Sequence, residues 1–575
     1  MLRSRNSFSK IRLFSAVFLL YLILHFSPVP IRLSTSLILT NRSIFPSYII
    51  RDPINITNDD GLAAVANSGT GTANDPYIIA EWNITGSPMH GISITGTTKH
   101  FRVENCWIHS SMKDGIYVES VTTGTTTIIN NTYNNNGYAG ISLHDSGSSI
   151  VANNTCNNNN DHGIYLGRHS GSSTLINNTC NNNGEPGINV YIANSTIIAN
   201  NTCNDNGDSG IAVTNSGFST VANNTCTNNG RGGISLGSSG SSTVANNTCI
   251  SNNWGGISLE NSDFSTVANN TFFNDGLHFE VYSKEKLLSY RVENNTINGL
   301  PLGYFKNVTN STISETYGQL VLVNCHNMIV KNQYCSNTSL GIALYYCDKT
   351  QLVNNTCNNN DRDGIYLQEC FSSTVANNTC ISNNWGGISL DNSDFSTVAN
   401  NTYNDNGWDG ISLEESDSSI VAKNTCNGNG RTGIFLGSSD NNSIVWNILA
   451  GNGAYGIELS VGSDINAIHH NDFIENGQNT SQACDDGWYN QWFDDTVLEG
   501  NYWLDYSGTG NYSIDGLARA VDPYPSLSPY RYSRETDRSY SPAFPQDVLV
   551  RIGLFLVVIG FFVVVLFVNR RKISS

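Results

Sequence analysis

Short apolar runs recur along most of this chain with a period close to 23 residues. From Gly210 to Leu259 each period begins Gly-Ile-x-Val or Gly-Ile-x-Leu, passes a Ser, continues Thr-Val-Ala-Asn-Asn-Thr-Cys, and ends in Asn-rich residues. Within each run, apolar and polar positions alternate, which is typical of strands that bury one face. Asn and Gly between the runs favour the left-handed conformation of tight corners. The pattern predicts three short strands and three corners per period.

The dipeptide Gly-Ile marks the period. It recurs at positions 115, 140, 163, 187, 210, 233 and 256, and again at 341, 364, 387, 410, 433 and 456. A fixed repeat of this length predicts a solenoid, in which each coil pairs with the coils above and below it at about 4.8 Å. We therefore expect an all-β, single-stranded parallel β-helix of about 17 coils over residues 90–500. Between 276 and 339 the period loosens, which we interpret as coils with a protruding excursion.

The repeat resembles the right-handed parallel β-helix of the pectin-lyase-like superfamily, and within it the NosD-like carbohydrate-binding and sugar-hydrolase (CASH) group. The stretches 71–86, 292–327 and 500–512 carry the same resemblance outside the regular repeat. It covers residues 69–525 and implies a right-handed helix. It leaves the activity open, because this fold hosts lyases, hydrolases, epimerases and pure binders.

The two ends of the chain are apolar and basic. Four basic residues precede the apolar run Leu13–Phe26, which suits a signal peptide or a signal anchor. The run Ile552–Val568 is long enough to span a bilayer and is followed by Arg570-Arg571-Lys572, so it predicts a transmembrane helix with a cytoplasmic tail. We expect a β-helix displayed outside the cell membrane. The predicted organisation is 1–30 signal, 31–89 lead-in and cap, 90–500 β-helix, 501–547 cap and stalk, 548–569 transmembrane helix and 570–575 tail.

The body of the chain is acidic. Residues 31–548 hold 21 Lys and Arg against 47 Asp and Glu, a net charge of −26. Such a surface repels nucleic acid and attracts divalent cations, so nucleic-acid binding is a poor hypothesis. Acid-rich corners are candidate Ca²⁺ sites: Glu260/Asp263, Asp391/Asp394 and Glu414/Glu415/Asp417.

Residues at the same phase of a solenoid form columns. One column of Asn, from Asn154 to Asn247, is expected to hydrogen-bond along the stack and is structural. The next column is mostly Cys, with Phe273 and Tyr403 at the same phase, which indicates an inward apolar position. Its thiols are inert core residues, partners in disulfides, or ligands for a soft metal such as Cu(I). A second group replaces a corner Ser and is better placed for disulfides in an extracellular setting: Cys325, Cys347 and Cys370.

A third column, two residues before each Gly-Ile, is variable and therefore faces solvent. In the earlier coils it shows Asp161, Glu185 and Asp208, which repel anionic glycans. In the later coils it forms a ladder of Trp and Arg that suits sugar faces and acidic sugars. The alternative is that these Trp residues merely cover the neighbouring turns. The predicted ligand-binding residues are Arg362, Trp385, Trp408 and Arg431, with Asp391 and Glu414 nearby.

Stacked carboxylates are candidate catalytic groups. Asp363 and Asp409 lie two coils apart, about 9.5 Å, and Asp391 and Glu414 lie on adjacent coils, about 5 Å apart. These separations are near those of inverting and retaining glycosidases, although any two stacked acids would match one class. A further cluster is a candidate metal site or an epimerase-like site: His144, Asp161, His162 and His169.

Three functions follow. The leading hypothesis is a non-catalytic binding or adhesion protein for polysaccharide or cell-envelope components, because no convincing catalytic constellation is evident. The alternative is a polysaccharide lyase, hydrolase or epimerase acting on the same surface. The third, implied only by the resemblance to NosD-like proteins, is assistance in copper-site assembly.

Overall fold

The computed structural model describes residues 48–281, 283–477 and 481–530, and nearly all of its elements are short parallel strands. A regular coil holds three of them, for example Ile211–Thr214, Thr220–Ala222 and Thr225–Thr227. Each strand pairs in parallel with the strand 23 residues later, as Val221 does with Val244. The predicted right-handed parallel β-helix is confirmed.

The described ranges contain two short helices, Asp59–Val65 and Lys284–Ser289. Neither is long and apolar enough to cross a bilayer. The predicted signal segment (1–30) and transmembrane helix (548–569) lie outside the described residues.

The coils form two stacks, each with three sheets. In the first stack the Gly-Ile sheet runs from Ile54–Ile56 to Leu277–Glu280 and the Val sheet from Tyr77–Ala80 to Arg291–Glu293. In the second stack the Gly-Ile sheet runs from Leu300–Lys306 to Ala483–Asp485 and the Val sheet from Thr312–Ile313 to Ala467–His469. The two Val sheets hold ten and eight strands, close to the 17 coils expected. The third side of each stack is formed by the strands that carry the Cys column, called here the Cys sheet.

The first coil begins before residue 90. Strands Ile54–Ile56, Tyr77–Ala80 and Trp82–Thr85 already pair with the next coil. The helix Asp59–Val65 is inserted between the first two and places Leu62 in the core, so part of the predicted lead-in is itself a coil.

Buried Asn side chains stack as predicted. The Nδ2 of Asn224 donates to Oδ1 of Asn247 at 3.0 Å and to the Ile198 carbonyl at 3.0 Å, and its Oδ1 accepts from the amide of Asn201 at 2.8 Å. Each amide therefore satisfies backbone groups at a corner that is closed to water. This explains the high Asn content by structure alone.

All fourteen cysteines are free thiols, and thirteen are buried. Burial raises the pKa of Cys180, Cys203 and Cys249 well above the usual value, which keeps these thiols protonated. Metal binding requires the thiolate, so the column is built as apolar core. The residue in register with Cys249 is Phe272, not Phe273, which is exposed.

The corner cysteines predicted to favour disulfides act instead as Ser does at that phase. The Sγ of Cys347 accepts from the Cys325 amide at 3.3 Å, and the Sγ of Cys370 accepts from the Cys347 amide at 3.2 Å. No disulfide joins them in the structure.

The loosened period at 276–339 is a junction between the stacks. The last strand of the first Cys sheet, Thr296–Ile297, pairs antiparallel with Leu300–Lys306, which opens the second Gly-Ile sheet. Beyond this turn the strand Gln319–Val323 is buried on both faces: Leu320 and Leu322 join the second core, and Val321 and Val323 join the first. The segment is therefore a joint between two solenoids that use opposite faces of one sheet, and not a protrusion from one solenoid.

The end of the first stack packs against the outer face of the second Gly-Ile sheet. Phe279, Val281 and Leu287 pack in the same cluster as Ala343 and Tyr345, which point outward from the second stack. The side chain of Gln319 makes the hydrogen bonds that the backbone of a following coil would otherwise make. Its Oε1 accepts from the Leu277 amide at 2.9 Å, and its Nε2 donates to the Leu277 carbonyl at 2.8 Å. The first stack thereby forms a wall across the second Gly-Ile sheet.

Candidate functional site

A cleft of about 570 Å³ opens where this wall ends. Its floor is the outer face of three strands of the second Gly-Ile sheet: Ile365–Gln368, Ile388–Asp391 and Ile411–Glu414. The end wall comes from the strand Leu277–Glu280 of the first stack. All eight residues predicted as ligand-binding or catalytic line it: Arg362, Asp363, Trp385, Asp391, Trp408, Asp409, Glu414 and Arg431.

One side of the cleft is an aromatic ladder. The rings of Trp385 and Trp408 stack with centroids 5.6 Å apart and planes 13° apart. The guanidinium of Arg362 lies 4.0 Å from the centroid of Trp385 and continues the stack. Trp385 is 38% exposed and Trp408 is 55% exposed, so both rings keep an open face.

Arg431 follows Trp408 at the other end of the ladder, and its guanidinium forms ion pairs with two carboxylates. Its Nη1 lies 3.4 Å from Oδ2 of Asp409, and its Nη2 lies 3.4 Å from Oε1 of Glu458. The guanidinium also lies 4.3 Å from the ring centroid of Phe435. Two carboxylates hold this Arg in place, so it offers little free positive charge to a ligand.

The floor carries hydroxyls and carboxylates. Outward positions of its strands place Tyr366, Ser389 and Ser412 in one row and Asp391 and Glu414 in the next. The phenol of Tyr366 donates to Oδ2 of Asp391 at 3.1 Å. Burial raises the pKa of Asp391, and burial together with the Asp391 charge raises that of Glu414.

Asp363 stabilises the next coil through hydrogen bonds. Its Oδ1 accepts from the Gly386 amide at 2.9 Å and from the Ser389 hydroxyl at 3.0 Å, and burial raises its pKa. Asp114, at the same phase in the first stack and outside the cleft, accepts from the Ala139 amide in the same way. This hydrogen bond therefore belongs to the coil and not to a reaction.

Asp409 combines the structural hydrogen bond with an ion pair to Arg431. Its Oδ1 accepts from the Thr432 amide at 3.1 Å, while its Oδ2 faces Arg431. Burial raises the pKa of Asp409 to about 6, against the opposing attraction of Arg431. Burial therefore favours the protonated form of both candidate catalytic acids, since it also raises the pKa of Asp363.

His278 and Glu280 are cleft residues that the sequence did not indicate. A guanidinium nitrogen of Arg362 contacts Nε2 of His278, and the same Nε2 lies 3.6 Å from Oε1 of Glu280. Both belong to the first stack, inside the loosened period, so no column connected them with Arg362. Tyr366, in contrast, occupies the x of a Gly-Ile-x-Leu motif, so the alternation of the strand predicts that its side chain points outward.

The predicted metal cluster around His144 does not assemble. Tyr165 lies between the imidazoles of His144 and His162, with ring centroids 5.2 Å from each. Nε2 of His162 lies 3.3 Å from Oδ1 of Asp161 and 3.3 Å from Nδ2 of Asn189, and His169 lies exposed at a left-handed corner. The rings of His144, Tyr165 and His162 therefore form a stack of aromatic side chains and not a ligand set.

The acid-rich corners also have a structural explanation. The Oδ1 of Asp394 accepts from the Asp417 amide at 2.7 Å, and the Oδ1 of Asp417 accepts from the Asp440 amide at 2.7 Å. Within the described ranges, no three acids at these corners come close enough to share an ion. Ca²⁺ binding at these corners stays a prediction.

Comparison with protein-family models found two matches. The model described as "Right handed beta helix region" matches residues 64–225 and 170–303. The model described as "Periplasmic copper-binding protein (NosD)" matches residues 282–406 and 320–508. The boundary between the two matched parts coincides with the junction between the stacks. A comparison with curated protein sequences found no match.

Solved structures with detectable likeness superpose poorly. The periplasmic alginate epimerase AlgG is 11% identical, with 77% of this chain and 85% of that chain covered and a TM-score of 0.24. The A-module of the Azotobacter vinelandii mannuronan C-5 epimerase AlgE4 is 11% identical, with 75% and 91% covered and a TM-score of 0.26. The catalytic domain of a GH87 alpha-1,3-glucanase is 13% identical, with 62% and 67% covered and a TM-score of 0.28. Likeness at this level says nothing about what this chain binds.

Proposed function

Since the chain belongs to the right-handed parallel β-helix proteins, we propose that it binds an uncharged polysaccharide in the cleft of its second stack. The observation that carries this proposal is the stacked pair Trp385 and Trp408 beside a row of hydroxyls and carboxylates. A sugar ring has apolar C–H faces and a polar rim. The Trp faces suit the former, and Ser389, Ser412 and Asp391 can pair with hydroxyls of the latter.

The charge of the cleft selects against acidic sugars. Six carboxylates line it (Glu260, Glu280, Asp363, Asp391, Asp409 and Glu414), against the two guanidinium groups of Arg362 and Arg431. Arg431 is moreover held by Asp409 and Glu458. An anionic polysaccharide would meet repulsion here. The idea that the Arg residues favour acidic sugars is therefore replaced by a preference for neutral glycans.

The affinity of one cleft is modest. The coils from Arg362 to Arg431 span three steps of about 4.8 Å, or about 14 Å, which accommodates a short stretch of a polymer. Aromatic contacts contribute about 0.5–1.5 kcal/mol each beyond buried area, which supports dissociation constants in roughly the micromolar to millimolar range. Many copies on one surface would bind a polymer far more tightly than one copy does.

Affinity electrophoresis in gels that contain neutral or acidic polysaccharides tests the proposal. Retardation by a neutral glycan should disappear in the Trp385→Ala, Trp408→Ala double variant. Trp254→Ala is the matched control, because this residue has the same phase in the first stack and also stacks on an Arg, Arg231 at 4.4 Å, outside the cleft. Unchanged retardation of a folded double variant, or retardation by acidic glycans alone, would contradict the proposal.

A second function, glycan hydrolysis, is supported by one pair of acids. Asp391 and Glu414 are direct partners on adjacent parallel strands, and the strand spacing of about 4.8 Å is close to the separation of the two carboxyl groups in retaining glycosidases. Burial raises the pKa of both carboxyls; the phenol of Tyr366 opposes this rise at Asp391, whereas the charge of Asp391 adds to it at Glu414. Asp391 is then the nucleophile and Glu414 the general acid.

The release of reducing ends from a neutral glycan panel separates hydrolysis from binding. If the chain is a hydrolase, Glu414→Gln should abolish release and retain gel retardation, because the amide cannot donate the catalytic proton. No release by the intact chain leaves the non-catalytic binding function.

We further propose that the β-helix is displayed outside the cell membrane and anchored by residues 548–569. The long apolar run and the basic tail after it support this. The chain should fractionate with membranes, and protease added to intact cells should remove the β-helix. Recovery of the full-length chain in the soluble fraction would contradict the anchor.

A further inference from the structure

The C-terminal end of the second stack carries a cluster that is separate from the cleft. His469, His470 and Asp494 each place one nitrogen or oxygen within 4.8 Å of the others. Among the described residues this is the one set of three or more His, Cys, Asp or Glu side chains with that spacing. None of the three lines the cleft.

The backbone explains why two consecutive imidazoles face the same point. His469 ends the strand Ala467–His469, and neighbouring residues in a strand normally point to opposite faces. His470 occupies the next corner in a left-handed conformation, with φ of +59°. This turn brings Nδ1 of His470 to 2.6 Å from Nδ1 of His469.

The orientation of His470 is fixed by its surroundings. Its ring stacks on Trp446, with centroids 4.3 Å apart and planes 15° apart, and packs edge-on against Tyr530. Its Nε2 lies 2.9 Å from Oε2 of Glu499. A carboxylate at Nε2 holds the proton there, and the lone pair of Nδ1 then points toward His469 and Asp494.

Asp494 comes from the loop that closes over this corner. Its Oδ1 accepts from the amide and hydroxyl of Thr496, at 2.8 and 2.6 Å, and its own amide donates to the Glu499 carbonyl at 2.7 Å. The loop 494–499 thus supplies both a third ligand and the carboxylate that orients His470. Asp494 is only half-buried, which leaves an approach from solvent.

We propose that His469 Nδ1, His470 Nδ1 and the Asp494 carboxylate bind one Zn²⁺ ion, with Glu499 as the positioning residue behind His470. Two imidazoles, one carboxylate and no thiolate form a set that suits Zn²⁺, with a fourth position for water. The ion would join the last corner of the Val sheet to the loop 494–499. It would therefore stabilise the end of the solenoid, independently of the proposed glycan binding.

Zinc binding to the purified full-length chain tests the site. After treatment with a chelator, the chain is titrated with ZnCl₂ alone in a calorimeter, and one equivalent should bind. Asp494→Asn and His469→Gln should each lower the affinity at least tenfold, and Glu499→Gln should lower it about 10–100-fold. His326→Gln is the matched control, because His326 forms an isolated pair with Asp348 at 3.5 Å in another part of the second stack.

Two further readouts identify the ligands. X-ray absorption of the zinc-loaded chain should show two imidazoles at about 2.0–2.1 Å. Zinc should raise the melting temperature of the native chain and of His326→Gln, but not that of Asp494→Asn. The proposal is overturned if the native chain binds no stoichiometric Zn²⁺ or only Cu²⁺. It is equally overturned if Asp494→Asn and Glu499→Gln, both near the surface and expected to fold, bind Zn²⁺ as the native chain does.

Discussion

Arg362 contacts the imidazole of His278, a residue 84 positions earlier in the chain and in the other stack. Because Arg can only donate, Nε2 of His278 accepts and the imidazole is neutral. Burial lowers the pKa of His278 in the same sense. This contact holds the end wall of the cleft against its aromatic ladder, since Arg362 also lies over Trp385.

Arg362→Ala should weaken binding of neutral glycans by about fivefold to tenfold. The variant frees Trp385 to move and opens the end wall, and a partly buried cation–π contact contributes about 1 kcal/mol. Arg231→Ala removes the equivalent contact over Trp254 in the first stack and should leave binding unchanged. The mobility of each variant in glycan-containing gels measures its binding. An equal loss in the two variants would mean that the cleft does not decide binding.

Asp409 should make the chain more stable in mild acid than at neutral pH. Its pKa is about 6 when folded, against 3.8 as the reference for an unperturbed Asp, so the folded state holds the proton more tightly. This stabilisation is complete below about pH 4 and is lost as the pH rises through about 6. Its size is roughly 2 kcal/mol after allowance for partial solvent screening.

Asp409→Asn removes that titration and keeps the acceptor for the Thr432 amide. Urea denaturation of both chains at pH 4 and pH 7.5 gives the comparison. The native chain should lose roughly 2 kcal/mol more than the variant between these pH values. Parallel pH profiles for the two chains would show that Asp409 does not titrate as described.

Gly230→Ala should disrupt the first stack, and Gly232→Ala should be tolerated. A Cβ at Gly230 would lie 2.2 Å from the carbonyl oxygen of Gly207 in the previous coil, so the backbone would have to shift. At Gly232 the nearest atom would be 3.6 Å away, an ordinary contact. Thermal melting should show a loss of about 1–3 kcal/mol for the first, as is usual for overpacking, and less than about 1 kcal/mol for the second. Equal melting temperatures would contradict the tight coil stacking at this corner.

The thiols should be protected by the fold and not by disulfides. In the native chain at pH 8, a maleimide should label at most Cys484, which is half-buried and has its pKa raised to about 12 by burial. In denaturant without reductant, all fourteen cysteines should react. Intact mass spectrometry gives the number of labelled cysteines in the native and in the denatured chain. A deficit in denaturant that reductant restores would reveal disulfides at Cys325, Cys347 or Cys370.

The sequence alone was sufficient to predict the solenoid and the columns of residues that stack along it. A 23-residue period leaves each residue one neighbour above and one below, so local spacing determines long-range contacts. Asn224 meets Asn247, Trp385 meets Trp408 and Asp391 meets Glu414 because each pair is one period apart. The same rule relates Asp363 and Asp409, which line one cleft, and marks Tyr366 as an outward position, although Tyr366 was not among the predicted site residues.

Where the period fails, only the tertiary structure decided the outcome. The hairpin at Thr296–Pro301 reverses the strand direction and moves the core to the other face of the sheet, so the end of one stack becomes a wall of the other. That is how His278 reaches Arg362. The loop 494–499 likewise returns to His469 and His470 by a path that no repeat specifies. Periodicity encodes contacts between equivalent positions, whereas the cleft and the metal cluster both depend on contacts between non-equivalent ones.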